Sequence, residues 1–324
     1  MLTIYYEMPH SITEGIYYIK NKKSGYYLNV PDSSTTNGQQ LIQNSWHGGA
    51  NQHFKIERTS SNPYTYTIKP MNYLPSAVEA YGYSLNNKVN IWKTPASYSE
   101  WRFLSNGNGT YRIMSGWCQQ FFGMVVKDAS TSLYEQIILQ YYNAAVNDQW
   151  ELIKINPTLL NTPQTYGQEK SLWCWAACAQ MDAATFGNNK TQTQIVNYVK
   201  GVNNAPDVKG TLLESVTACE YASGTTNQYE NKPVSNMPEA NLISKLNSGK
   251  PVTAQMFVNT NQNGHSVIIF GYRIENGTKY FYIRDPKHDN VGVTFCRTYN
   301  ELITGTPLAE SNYNRAWKNY TCRK

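Results

Sequence analysis

The 324-residue chain has no apolar run long enough to span a bilayer, and residues 1–14 lack the basic start and apolar core of a secretory leader. Charge runs are missing too. The net charge of +6 rests on dispersed lysines, which reads as solvated surface and excludes a nucleic-acid footprint. No grouping of His, Cys, Asp and Glu has metal-ligand spacing, and His288 beside Asp289 reads as a loop pair; no metal or other cofactor is expected. A disulfide framework is absent as well. Of the six cysteines (Cys118, Cys174, Cys178, Cys219, Cys296 and Cys322), one kept free for chemistry leaves five, which cannot all pair. Disorder is excluded by a hydrophobic fraction of 40% and an aromatic fraction of 13%.

What is present divides in two. A chain of this length exceeds the size at which one core usually keeps growing. The junction is expected at Lys154 to Thr165, where Asn156-Pro157 and Thr162-Pro163 interrupt the patterns on both sides, giving domains 1–155 and 156–324.

The first half carries a period near 48 residues. Phe54, Trp101 and Trp150 recur at spacings of 47 and 49, each opening a short strand pattern. Ile19, Ile68 and Ile113 recur at 49 and 45, and Leu28, Val78 and Val125 at 50 and 47. Three copies of one unit, with short strands and Gly/Asn/Ser turns, predict threefold closure of an all-β structure.

The second half holds the chemistry. Gln168 stands six residues before Cys174, which is followed by Trp175 and a helix-forming run, Ala176 to Phe186, closing at Gly187. A thiol at the first turn of a helix sits in the positive end of the helix dipole, which favours thiolate. Gln168 can curl back and donate an amide proton, and a nucleophile beside an oxyanion donor is what acyl transfer through cysteine needs. Downstream, His265 opens the β-branched run Ser266 to Phe270, which reads as a buried strand. After the turn Asn276-Gly277, the run Lys279 to Arg284 delivers Asp285-Pro286. Paired strands would set Asp285 beside His265 and hold the imidazole ready to accept the thiol proton. Helical patterns at 191–200, 211–221 and 238–247, then a strand at 251–258, make an α+β order.

These motifs carry two resemblances. Gln-x5-Cys-Trp, then Gly-His-Ser-Val, then Arg-Asp-Pro resembles the papain-like cysteine peptidase superfamily, and Trp-Cys-Trp-Ala-Ala-Cys most resembles staphopain-like effector proteases of bacterial plant pathogens. The Gly-His-x-Val-x-x-x-Gly-Tyr and Asp-Pro pair is also similar to bacteriocin-processing peptidases. The resemblance covers about residues 160–324. It implies a papain-like fold with Cys174 as nucleophile, His265 as general base, Asp285 as its orienter, Gln168 as oxyanion donor and Trp175 packed beside the nucleophile. An aspartate in the third role departs from plant papains, where an asparagine does this work.

In the first half, Asn51-Gln52-His53-Phe54 and Asn147-Asp148-Gln149-Trp150 resemble the Gln-x-Trp signature of ricin-type β-trefoil lectins, over about residues 12–155. The resemblance implies glycan binding through an aromatic face and planar polar groups. The first repeat offers Asn29, where aspartate is expected, with Trp46, Asn51 and Gln52. The second offers Glu79 and Trp92, with Tyr98 and Ser99 replacing the Asn-Gln pair. The third keeps Asn147 and Tyr141, with Val125 at the acidic position. Together the halves imply a glycan-targeted cysteine endopeptidase, a toxin or effector-like protein acting outside the cell or inside a host, with a protein substrate and glycan partners. Two rivals stay open: an agglutinin with a silent second domain, and a cysteine acyltransferase or amidase.

Overall fold

The structure, a computed structural model, describes residues 9–59, 64–80, 82, 84–93, 97–116, 122–141, 146–160, 166–233, 235–258, 264–286, 291–308 and 311–324. Cys118, Thr162-Pro163, His288 and Asp289 fall outside them. The chain forms two compact units, Met1–Asn156 and Pro157–Lys324.

The first unit is built on a threefold repeat. Strands Phe54–Arg58, Trp101–Ser105 and Trp150–Ile155 each start at one of the recurring aromatics, and each follows a single 3-10 turn, Ala50–Gln52, Ser97–Ser99 or Val146–Asp148. Phe54, Trp101 and Trp150 are fully buried in one core with Ile19, Ile68 and Ile113. The Trp101 indole donates to Val78 O and the Trp150 indole to Met124 O, both at 2.8 Å. The third copy of the Leu28–Val78 position is therefore Met124, one residue before the expected Val125. A shift of one residue moves a strand side chain to the opposite face, so only Met124 joins Leu28 and Val78 in this core. Strand Gly15–Asn21 pairs with the last strand, from Ile16 opposite Ile155 to Asn21 opposite Trp150, so the structure closes on itself.

The second unit is helices first, then an antiparallel sheet. Helices α1 (Cys174–Thr185), α2 (Gln192–Lys200) and α3 (Leu212–Ser223) precede α4 (Glu239–Asn247), and α5 (Tyr299–Thr304) lies late in the chain. The main strand order is Tyr229–Lys232, Ser311–Arg323, Val252–Phe257, Gly264–Glu275, Thr278–Asp285, Val293–Thr298. Thr191 and Thr211 form capping boxes with Gln194 and Glu214, and both helices stop at left-handed glycines, Gly201 and Gly224. By contrast, α1 has no side-chain cap at Trp173, so its first N–H groups are left for other acceptors.

Helix α1 is buried on several sides because its residues are small. Ala176, Ala179 and Ala183 pack with Ile195 and Val196 of α2 and Ala218 and Ala222 of α3. Cys178 and Met181 pack against Ile268 of the sheet. Asp182 on the same helix is buried and accepts the Tyr229 hydroxyl; burial raises its carboxyl to about 7. Among the described residues, no helix is long and apolar enough to cross a membrane.

Candidate active site

Cys174 is the first residue of α1 and is half-buried. His265 and Asp285 come from neighbouring strands, Gly264–Glu275 and Thr278–Asp285, whose register sets Ile268 opposite Arg284. That pairing brings His265 Nε2 to 2.5 Å from Asp285 Oδ1, with both side chains buried. His265 lines the same cleft as Cys174 and is the first group to lower its thiol against burial. With Nε2 engaged by the carboxylate, Nδ1 is the nitrogen left for sulfur.

The electrostatics of the group point one way. Burial would raise the Cys174 thiol, but the His265 hydrogen bond and charge, then the N–H and hydroxyl of Ser266, outweigh it and hold the thiol below its ordinary value. Burial would depress His265, but the charge and hydrogen bond of Asp285, reinforced by Cys174, raise it. These opposed shifts favour proton transfer from the thiol to the imidazole. The other described thiols go the opposite way. Burial raises Cys178 and Cys219 well above the usual value, Cys296 to about 11 and Cys322 to about 12.

The segment before the nucleophile is pinned by a loop that the sequence reading left unassigned. Asp207 accepts from the Ser171 hydroxyl at 2.6 Å and from Leu172 N–H at 2.8 Å. The indoles of Trp173 and Trp175 donate to Pro206 O at 2.9 Å and Val208 O at 3.1 Å. Ala205 takes a left-handed φ of 39°. It is held there by Asn197 Oδ1 on its N–H and by Lys170 Nζ on its carbonyl. A Cβ on Gly210 would lie 2.5 Å from Trp175 Cδ2, so the backbone lies directly on the indole. Trp175 is thus a buried packing residue beside Cys174.

Gln168 is placed differently from expectation. Its amide donates to Lys170 O at 3.0 Å and Ser171 O at 2.8 Å, and its Oε1 is buried without a partner. Both amide protons shape the turn into α1, and Gln168 is not among the residues lining the cleft at Cys174. The uncapped N–H groups of α1 are the donors at hand for an oxyanion. The cleft itself has a volume of about 350 Å³ and is lined by Cys174, His265 and Ser266 with Trp175, Gln255 and Asn319 among others. Ser266 was missed because a serine inside a β-branched run looks like any strand residue.

The lectin-like candidates are partly spent on the fold. Gln52 Nε2 donates to Ser45 O at 2.8 Å and Gln52 Oε1 accepts His47 N–H at 3.0 Å, so Gln52 holds its turn. Asn29 Oδ1 meets His47 Nε2 at 3.0 Å and Asn51 Nδ2 at 3.2 Å. His47 is therefore a member of this cluster that the repeat pattern did not flag. Glu79 is 5% exposed, and burial raises its carboxyl. Trp46, Trp92 and Tyr141, 37%, 39% and 49% exposed, are the candidates that offer an aromatic ring to solvent. Among the described residues, no group of three His, Cys, Asp or Glu could hold a metal.

Comparison with known proteins finds two family matches. Residues 5–93 match the ricin-type beta-trefoil lectin domain-like family, and residues 160–323 match the Peptidase_C39 like family. The Rhizoctonia solani agglutinin is 20% identical over 45% of this chain and 99% of its own, with a TM-score of 0.41. The Macrolepiota procera ricin B-like lectin, solved with lactose, is 17% identical over 45% of this chain and 99% of its own, at 0.38. A mosquitocidal holotoxin is 12% identical over 97% of this chain and 34% of its own, at 0.43. Among curated proteins, none matches the chain.

Proposed function

The chain belongs to the Peptidase_C39-like family, and on that premise we propose that its second unit is a cysteine endopeptidase working through Cys174, His265 and Asp285, held at glycosylated surfaces by the β-trefoil lectin-like region before it. The observation that carries the reading is the thiol of Cys174, at an uncapped helix start, in one cleft with a histidine that is itself 2.5 Å from a buried carboxylate.

Such a group performs acyl transfer in two halves. His265 takes the thiol proton, and the thiolate attacks the scissile carbonyl carbon. Negative charge on the carbonyl oxygen faces the N–H groups at the start of α1, including that of Cys174. As the intermediate collapses, the C–N bond breaks and His265 returns its proton to the leaving amine. Water then attacks the thioester, giving its proton to His265, and the carboxylic acid leaves the sulfur. Asp285 stabilises the imidazolium throughout. Lectin binding raises the local concentration of enzyme near a glycoprotein target, in keeping with action outside the cell or after delivery to a host.

An epoxysuccinyl inhibitor of the papain type tests the reading. Among the described thiols, labelling is expected at Cys174 alone, and to vanish in His265→Ala, because burial keeps the others protonated. Mass spectrometry locates the adduct. Equal labelling of Cys178, or none at all, would leave the agglutinin with a silent second domain as the better account. For the first unit, Trp46→Ala is expected to weaken binding on a glycan array several-fold; unchanged binding would remove the first repeat from the lectin reading.

A further inference from the structure

The cleft beside Cys174 has a polar floor where a strand face would ordinarily be apolar. On strand Val252–Phe257, Val252, Ala254 and Met256 point into the hydrophobic core with α4 and α5. The alternate residues Gln255 and Phe257 line the cleft. Register places Gln255 between Ser266 on one neighbouring strand and Asn319 on the other, and both of these line the cleft as well. A polar row thus runs across three strands, starting at the residue that follows His265. The pairing slips by one residue between Gln255 and Met256, a bulge that ends the regular ladder at this point.

Gln255 is the residue in that row with unspent capacity. It is 7% exposed, and its Nε2 makes a long contact of 3.4 Å with Thr321 Oγ1. Its Oε1 is buried with no hydrogen-bond partner. An orphaned buried carbonyl is left desolvated, and that cost is recovered when a ligand supplies a donor. Besides Cys174 and His265, the ionisable residues lining the cleft are Lys209 and Arg315, and no carboxylate is among the described lining residues. A cationic side chain would meet like charge, and a carboxylate, though drawn by Lys209 and Arg315, has no N–H to give the Gln255 carbonyl. A carboxamide gives that carbonyl an N–H and keeps an oxygen for the neighbouring donors.

Building on the peptidase reading above, we propose that Gln255 is a specificity-determining residue and that the cleft it floors takes an asparagine or glutamine side chain of the peptide substrate close to the scissile bond. The match is amide to amide, in a space large enough for the side chain.

The test uses the full-length protein and a library of proteome-derived peptides, with cut sites read by mass spectrometry. Wild type is expected to enrich Asn and Gln at one position near the cut. In Gln255→Leu that position should turn to apolar residues, with kcat/KM on the best carboxamide peptide falling at least about tenfold. In the isosteric Gln255→Glu it should turn to Lys or Arg, which keeps the proposal testable should the leucine variant fold poorly. An apolar or flat preference in wild type, or a carboxamide preference that survives both substitutions, would overturn the subsite and leave the peptidase reading standing. Absence of any cut beyond those seen with Cys174→Ala would overturn the peptidase reading itself.

Discussion

Cys174→Ala is expected to abolish peptide-bond hydrolysis, lowering kcat/KM by about 10,000-fold or more, while far-ultraviolet circular dichroism and the thermal midpoint stay at wild-type values. The size follows from removing the only atom that bonds to substrate: what remains is whatever the α1 N–H groups and the cleft contribute by binding alone. The fold should tolerate the change because the side chain is half-buried and loses one sulfur, while the loop around it is held by Asp207, Trp173 and Trp175 independently of the thiol. Retained turnover in this variant on any peptide or glycoprotein substrate would remove Cys174 from the mechanism.

Asp285→Ala is expected to cost about 100- to 10,000-fold in kcat/KM and to narrow the pH profile from both sides. The sign follows from the shifts at the site. The active thiolate–imidazolium pair exists above the apparent pKa of the thiol, which is lowered, and below that of the imidazole, which is raised. Asp285 is the first cause raising His265 against burial, so its loss lets burial pull the imidazole down and moves the alkaline limb to lower pH. His265 is in turn the first cause lowering Cys174 against burial, so the acid limb moves up. Asp285→Asn keeps an acceptor for Nε2–H and loses the charge; it should recover part of the rate but keep the narrowed profile. A full profile of wild-type width in Asp285→Ala would show that the carboxylate is not the partner that matters.

Much of the architecture was legible because local pattern encodes it. The spacing of Phe54, Trp101 and Trp150 marks a repeat whichever strand pairs with which, since each aromatic must be buried behind its own turn. The helical patterns at 191–200 and 211–221 begin where α2 and α3 do, at Thr191 and Thr211, since the capping boxes there close within one turn. Cys174, His265 and Asp285 stood out by residue type and order, and the Asn276-Gly277 turn made it evident that the last two could meet.

The partners of polar side chains were another matter. Gln168 has the right spacing for an oxyanion donor, yet the turn into α1 consumes both its amide protons. Glu79 has the acidity a sugar site would use, yet it is buried against Ser99. His47 joins Asn29 across 18 residues, Asp207 grips Leu172 across 35, and Gln255 meets Thr321 across 66. The sequence by itself determined two domains, a threefold β repeat and a cysteine–histidine–aspartate order, because periodicity, caps and turns act within a few residues. Tertiary structure alone decided which polar groups face the cleft and which are spent on the scaffold, because a buried donor or acceptor can pair only with what the packing of distant segments brings within about 3 Å.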